Sequence, residues 1–146
     1  MKETIERWIT PFKIYAPDAN LLKANGYPIR GDQFIKPDAS NVVAFWDEML
    51  GSNPEVIQRI KQDVKTCIPE ITDIRIESIR ENTAKYSELK TKFGREDRFK
   101  QLFVIDDKAV RYYTDELSEG VLYFIALLAI IHQPNPPRLL AIEEPD

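Results

Sequence analysis

Two short groups of residues near the end of the 146-residue chain have types and spacing that could do chemistry. The segment 117–120, Leu-Ser-Glu-Gly, precedes an apolar run, and a helix beginning there offers a hydroxyl and free backbone N–H groups to an anion. Gly120 would let the backbone approach that anion closely. Glu143 and Glu144 follow a second apolar run, and adjacent carboxylates on a strand point to opposite faces, so they could take different tasks.

Each group taken alone also has an ordinary structural explanation. Ser118 can be a helix N-cap, and Glu119 can stabilise the positive end of the helix dipole. Two acidic residues after an apolar strand are often a solvated turn. His132, in the last turn of the predicted helix, is explained by the negative end of the dipole. The order of the pieces is therefore more specific than any one of them.

The elements that position these groups can be read from the last part of the sequence. Val121 to His132 predicts an apolar helix, and the segment 133–137, Gln-Pro-Asn-Pro-Pro, prevents that helix from continuing. The run 138–142, Arg-Leu-Leu-Ala-Ile, is short and almost wholly apolar. Such a run predicts a strand that is buried on both faces in a parallel sheet.

Three further regions precede this unit. Residues 1–37 predict a short strand and a loop, in which the turn-rich stretch 25–32 is exposed. Residues 38–69 have apolar positions at helical spacing in two runs, which predicts a helical hairpin. Residues 70–113 alternate with a period of two and predict a β-meander, with a charged stretch at about 81–100 that is flexible or helical.

The sequence also predicts where the two hairpin helices begin and end. Either Asp38 or Ser40 can accept the free N–H groups of the first turn. Asn53 is predicted as the N-cap of the second helix, with Pro54 at its first position. Proline fits there because a backbone N–H at this position has no hydrogen-bond partner within the helix. Pro69 ends the second helix.

Composition limits the class of protein. Apolar residues make up 43% of the chain, which is enough for a buried core, and 20 Lys plus Arg against 24 Asp plus Glu leave no overall basic surface. The longest apolar stretch, Val121 to Ile131, is too short to cross a bilayer, and the N-terminus lacks the apolar core of a secretory signal. A single cysteine and a single histidine exclude a His/Cys zinc site. We therefore expect a cytoplasmic protein with no membrane contact.

The order of motifs resembles the unit of ABC-type ATPases that runs from the signature motif to the Walker B strand. It is most similar to the RecF/SMC-like AAA family ATPases of bacterial repair and phage-defence systems. Their pattern L-S-[DE]-G, apolar helix, P-x-P-P and L-L-x-I-E-E-P-[ED] is matched by Leu117 to Gly120, Pro134 to Pro137 and Leu139 to Asp146. Asp38 to Val42 is more weakly similar to a D-G-S-N-L element that begins an earlier helix in these domains.

This resemblance implies an α/β fold, a fragment of a P-loop NTPase domain of the ABC type, that binds ATP and hydrolyses it with Mg²⁺. Ser118, Glu119 and Gly120 would contact the γ-phosphate of ATP held by a second subunit. Glu143 stands at the Mg²⁺-associated acid, and Glu144 at the general base that activates the attacking water. The family function is coupled to DNA repair or phage defence.

The sequence lacks the other motif that such a site requires. No phosphate-binding loop of the form G-x-x-x-x-G-K-[ST] surrounds any of the five glycines. We therefore expect a partial ATPase domain that is inactive without a Walker A half. The expected partner is a Walker A-containing ATPase chain or a homodimer partner, with DNA as a further candidate.

Three alternatives stay open on the sequence alone. The chain could be a non-catalytic module that binds another protein through the hairpin and the meander. It could be the remnant of a broken reading frame that retains family motifs without activity. It could also be an unrelated α+β domain in which the terminal motif arose by chance.

Overall fold

The computed structural model describes residues 12–24, 26–94 and 98–143. These residues form five α-helices and six strands in two sheets. In chain order the elements are β1 (Phe12–Tyr15), α1 (Ala19–Lys23), β2 (Tyr27–Pro28), α2 (Val42–Ser52), α3 (Pro54–Cys67), β3 (Ile71–Ser78), α4 (Ala84–Phe93), β4 (Phe99–Asp106), β5 (Arg111–Tyr113), a 3₁₀ turn (Thr114–Glu116), α5 (Glu119–His132) and β6 (Leu139–Ile142). None of these helices is long and apolar enough to cross a bilayer.

The first and last strands pair with each other in parallel. Phe12 lies opposite Leu139 and Tyr15 opposite Ile142, and the strand predicted after the proline-rich loop is confirmed. The prediction that this strand is buried on both faces is wrong, because Leu139 is 59% and Ile142 43% exposed. Among the described residues β6 pairs only with β1, and no second layer covers the face of this pair on which Phe12, Ile14 and Leu139 are 42%, 56% and 59% exposed.

The second sheet is antiparallel and contains the predicted meander. β3 pairs with β4, and β4 with β5, while the charged stretch at 81–100 contains helix α4. Thr83 caps α4 by accepting the N–H of Tyr86 at 3.2 Å. A small apolar cluster of Ile79, Leu89 and Phe99 packs the helix onto the sheet. The charged excursion is therefore largely ordered as a helix.

The loop predicted as exposed at 25–32 contributes an edge strand instead. Tyr27 and Pro28 form β2, which pairs antiparallel with the beginning of β4, and Pro28 is buried. Gly26 lets the backbone pass close to α4, because a Cβ at this position would lie 2.5 Å from a methyl carbon of Leu89. Its φ of 149° is also one that side chains disfavour. Two residues, one of them proline, carry too little pattern to predict a strand.

The helical hairpin is confirmed, with a different beginning. α2 begins at Val42, and the N-cap position is Asn41 rather than Asp38 or Ser40. The carboxylate of Asp38 accepts the N–H of Ser40 at 3.0 Å, which makes a turn before the helix and leaves the helix uncapped by either side chain. α3 begins as predicted, with Asn53 at the N-cap position and proline in the first turn.

The hairpin is the largest contributor to the main core. Phe45 and Trp46 of α2 are fully buried, as are Ile57 and Ile60 of α3. These side chains pack with the apolar face of α5 and with one face of the antiparallel sheet in a single cluster. The hairpin, α5 and the antiparallel sheet therefore share one apolar core.

Candidate functional site

Helix α5 presents the segment 117–120 at its N-terminus. Ser118 is the N-cap, and its hydroxyl accepts the N–H of Val121 at 3.4 Å, longer than the usual value of about 2.9–3.0 Å. Ser118, Glu119 and Gly120 are all exposed. Apart from its chain neighbours and the backbone of its own helix, no described atom lies within 4 Å of where a Cβ on Gly120 would stand. The first turn of α5 is therefore open to an approaching molecule.

A short helix that the sequence analysis missed lies against this turn. Lys23, the last residue of α1, places its Nζ 3.1 Å from Oε1 of Glu119. The hydroxyl of Thr114, just before the turn, lies 3.5 Å from the carbonyl oxygen of Lys23. Because Lys23 and Glu119 are 96 positions apart, no local pattern in the sequence points to their contact.

A polar cleft of about 340 Å³ lies beside the first turn of α5. Its walls are residues 16–20, which follow β1, together with Glu119 and Tyr123 of α5. An apolar groove of about 310 Å³ shares Pro17 and Tyr123 with this cleft and is also lined by Ile142 of β6. The beginning of α5 and the end of β6 therefore border two adjoining cavities that share these two lining residues.

Glu143 directly follows β6 at this edge. Its backbone N–H donates to the carbonyl of Tyr15 at 2.9 Å, which continues the parallel ladder by one residue. The Glu143 side chain is exposed. The carboxyl ends of β1 and β6 meet at the same edge, which is where open α/β sheets bind ligands. Glu144, the predicted base, lies outside the described residues.

An exposed carboxylate at this edge has the chemistry that Mg²⁺ prefers. Magnesium in nucleotide sites is held by one or two carboxylates together with phosphate oxygens and water, rather than by a full cage of protein ligands. Glu143 can supply one such oxygen ligand. Within the described residues no group of three His, Cys, Asp or Glu side chains converges on a metal position.

A second polar cluster lies on the antiparallel sheet, away from this edge. Glu77 accepts hydrogen bonds from the hydroxyl of Tyr113 at 2.8 Å and from the amide of Gln101 at 2.7 Å. Lys85 donates to Gln101, and burial lowers the pKa of Lys85. The hydrogen bond to Glu77 raises the pKa of Tyr113. These groups satisfy one another and tie β3, β4, β5 and α4 together, so we assign them a structural role.

Comparison with known proteins gives one match. A family model described as "AAA domain, putative AbiEii toxin, Type IV TA system" matches residues 11–146. Neither a search of curated proteins nor a search of solved structures finds a match. The five helices and two sheets of the described residues are compatible with an AAA-type domain.

Proposed function

The chain belongs to this family of AAA domains, which bind and hydrolyse ATP, and on that basis we propose that it supplies part of an ATPase site of the ABC type. The observation that supports this best is the meeting of two elements. The first turn of α5 and the carboxyl end of β6 border two adjoining cavities that share Pro17 and Tyr123, although 23 positions separate Gly120 from Glu143 in the sequence. In this proposal the turn is the signature motif and β6 is the Walker B strand.

The turn at 118–120 would contact the γ-phosphate of ATP that a second subunit holds. The N-terminus of α5 offers N–H groups and the positive end of a 14-residue helix dipole. The N–H of Val121 donates to Ser118 at the long distance of 3.4 Å, so it can donate to a phosphate oxygen instead with little loss of hydrogen-bond energy. The absence of atoms around Gly120 leaves room for that oxygen.

The two acids after β6 would divide the remaining chemistry. Glu143 would hold Mg²⁺, which when bound neutralises charge on the phosphates. Glu144 would accept a proton from the attacking water. Successive side chains of a strand point to opposite faces, and by the same alternation one carboxylate would face the metal and the other the water.

The uncovered face of the parallel pair supports a partner. The residues on that face, Phe12, Ile14, Leu139 and Ala141, are all apolar, and Ile14 is 56% exposed. Parallel sheets are found almost only with both faces covered, because their crossover connections place helices on each side. We propose that a Walker A-containing chain covers this face, with a homodimer partner as the alternative.

The process served would be DNA repair or phage defence, with DNA as a further partner. The toxin–antitoxin wording of the family description favours the defence role. The overall charge of the chain gives no support for a direct DNA contact, because the net charge is −4 and DNA is itself negatively charged. The partner would then provide any binding to nucleic acid.

The test is to read the DNA flanking the coding region for a Walker A frame, produce both products together and measure ATP turnover. We expect Glu144→Gln to lower turnover at least about a hundredfold, because general-base catalysis contributes that much. Glu70→Gln, the same change at an exposed acid in the turn before β3, is the control and should leave turnover unchanged.

Two outcomes would contradict the proposal. Turnover that Glu144→Gln leaves unchanged would favour a non-catalytic interaction module. The absence of any Walker A frame, together with no turnover in the purified material, would favour a remnant without activity.

A further inference from the structure

We propose that Lys23 is a positioning residue of the nucleotide site, whose ammonium neutralises the Glu119 carboxylate and so lets the first turn of α5 accept a polyphosphate. The inference rests on the proposed function, because it concerns the turn that would meet the γ-phosphate. It adds a residue that no motif in the sequence identifies.

The contact is well defined on the Lys23 side. α1 is capped by Asp18, whose carboxylate accepts the N–H groups of Asn20 at 2.8 Å and Leu21 at 3.3 Å. Leu22 anchors the helix in the core. Lys23 therefore leaves a fixed backbone, and its Nζ lies 3.1 Å from Glu119.

The charge on Glu119 creates the need for such a contact. A carboxylate in the first turn occupies the positive end of the helix dipole, which is the same region that an incoming phosphate would use. Two negative charges within a Debye length of about 10 Å repel each other, and ATP carries several. The ammonium of Lys23 offsets the carboxylate and, when phosphate arrives, can share its N–H donors with the phosphate oxygens.

Fold stability does not explain this ion pair well. Both side chains are partly exposed, 35% for Lys23 and 58% for Glu119, and exposed pairs contribute little to the free energy of unfolding. The acidic side chain of Asp18 also lines the cleft, and its Oδ1 accepts the two N–H bonds that cap α1. A charge-compensation role predicts effects on anion binding that a stabilising role does not.

The experiment is a titration of the full chain with tripolyphosphate, and then with Mg-ATP, followed by the amide NMR signals of residues 118–122 at low ionic strength. We expect weak, millimolar binding by the unmodified chain. Lys23→Met should weaken it about three- to tenfold, as one unit charge a few ångströms from the anion would do. Glu119→Gln should tighten it, and Lys23→Met combined with Glu119→Gln should return binding close to the starting value.

The matched control is Lys61→Met, which removes the same charge from another ion pair, with Asp73 at 2.8 Å. It should leave phosphate binding unchanged, and melting temperatures should show that every variant is folded. The inference is overturned if Glu119→Gln weakens binding as Lys23→Met does, or if the double variant is not rescued. If the unmodified chain and all variants leave signals 118–122 unmoved, the proposed phosphate contact itself is wrong.

Discussion

At the scale of single residues, two buried amide side chains organise the loops around the candidate site. Asn41 donates to Asp32 at 2.7 Å and to the carbonyl of Phe34 at 2.9 Å, and its oxygen accepts the N–H of Lys36 at 2.8 Å. Gln133 accepts the N–H of Ile35 at 3.1 Å. The loop before α2 is thus held from both sides by side-chain amides.

Gln133 also ties the end of α5 to β1. Its amide nitrogen donates to the hydroxyl of Tyr15 at 3.0 Å and to the carbonyl of Ile130 at 2.9 Å. The glutamine that begins the proline-rich loop therefore fixes how the chain passes from α5 to β6. In this way one residue helps to set where the carboxylate of Glu143 stands.

Asn41→Ala should lower the free energy of unfolding by about 2–3 kcal/mol. The change removes three hydrogen bonds made by the buried Asn41 side chain, and each such bond contributes about 0.5–1.5 kcal/mol. Asn20→Ala, the same change at an exposed position of α1, should stay within about 0.5 kcal/mol. Urea unfolding of the two variants checks this, and equal loss in both would contradict the role given to Asn41.

At the scale of elements, Asp73 joins α3 to β3. Its carboxylate lies 2.8 Å from Nζ of Lys61 and 2.7 Å from Nε of Arg75. Burial raises the pKa of Asp73, but the hydrogen bonds from Lys61 and Arg75 outweigh it, and the pKa lies below its usual 3.8. A carboxyl group with a lower pKa in the folded state stabilises the fold above its unfolded pKa, and that contribution is lost as pH falls through the folded pKa.

Asp73→Asn should therefore change how stability depends on pH. Near neutral pH the variant should lose about 1 kcal/mol, or about 3 °C in melting temperature, since the ion pair is only partly buried. Below about pH 4 the difference between the two proteins should shrink as Asp73 is protonated in the unmodified chain. Asp107→Asn, at an exposed turn, is the control. A gap that stays constant from neutral to acidic pH would show that the charge of Asp73 is not responsible.

The elements that the sequence predicted well are those with a clear apolar pattern. The two helices of the hairpin and β3 have apolar positions at a fixed spacing, while α5 and β4 contain apolar runs. α1 has five residues and β2 has two, so neither is long enough to show a period. Their positions are set by tertiary contacts: the edge of β4 for β2, and the core around Leu22 for α1.

The candidate site was predictable to a similar extent. The Ser-x-Gly turn and the strand that leads to Glu143 are local features, and the structure has both. The two adjoining cavities beside them and the contact of Lys23 with Glu119 depend on residues far apart in sequence, so they could not be predicted from spacing. The partial exposure of β6 was missed because an apolar strand shows what it can bury, while only the structure shows what covers it.

At the scale of the whole molecule, the parallel pair is the least complete part of the fold. The antiparallel sheet packs against the hairpin and α4, whereas β1 and β6 have α5 along one face and an exposed apolar face on the other. Two strands alone form a marginal sheet. Contiguous exposed apolar surface of this kind is often covered by another protein, which is the role proposed for it above.

Ile14→Lys should therefore separate association from stability. Ile14 is 56% exposed on the uncovered face, so a lysine there should change the free energy of unfolding by no more than about 0.5 kcal/mol. The same lysine places a charge where an apolar partner would pack, and an unpaired charge cannot be buried there without a large penalty. In sedimentation velocity of the chain mixed with the Walker A product, we expect the unmodified chain to form a complex and the Ile14→Lys variant to stay free.

Val110→Lys is the matched control for this experiment, because Val110 is an exposed valine (44%) between β4 and β5, away from the parallel pair. It adds the same charge and should associate like the unmodified chain. If Ile14→Lys associates equally, the apolar face is not the contact surface. If Ile14→Lys unfolds the chain, the face is already packed within the molecule. Only loss of association with an unchanged melting temperature fits a surface that another protein covers, since burial of apolar area drives that contact and a single charge opposes it.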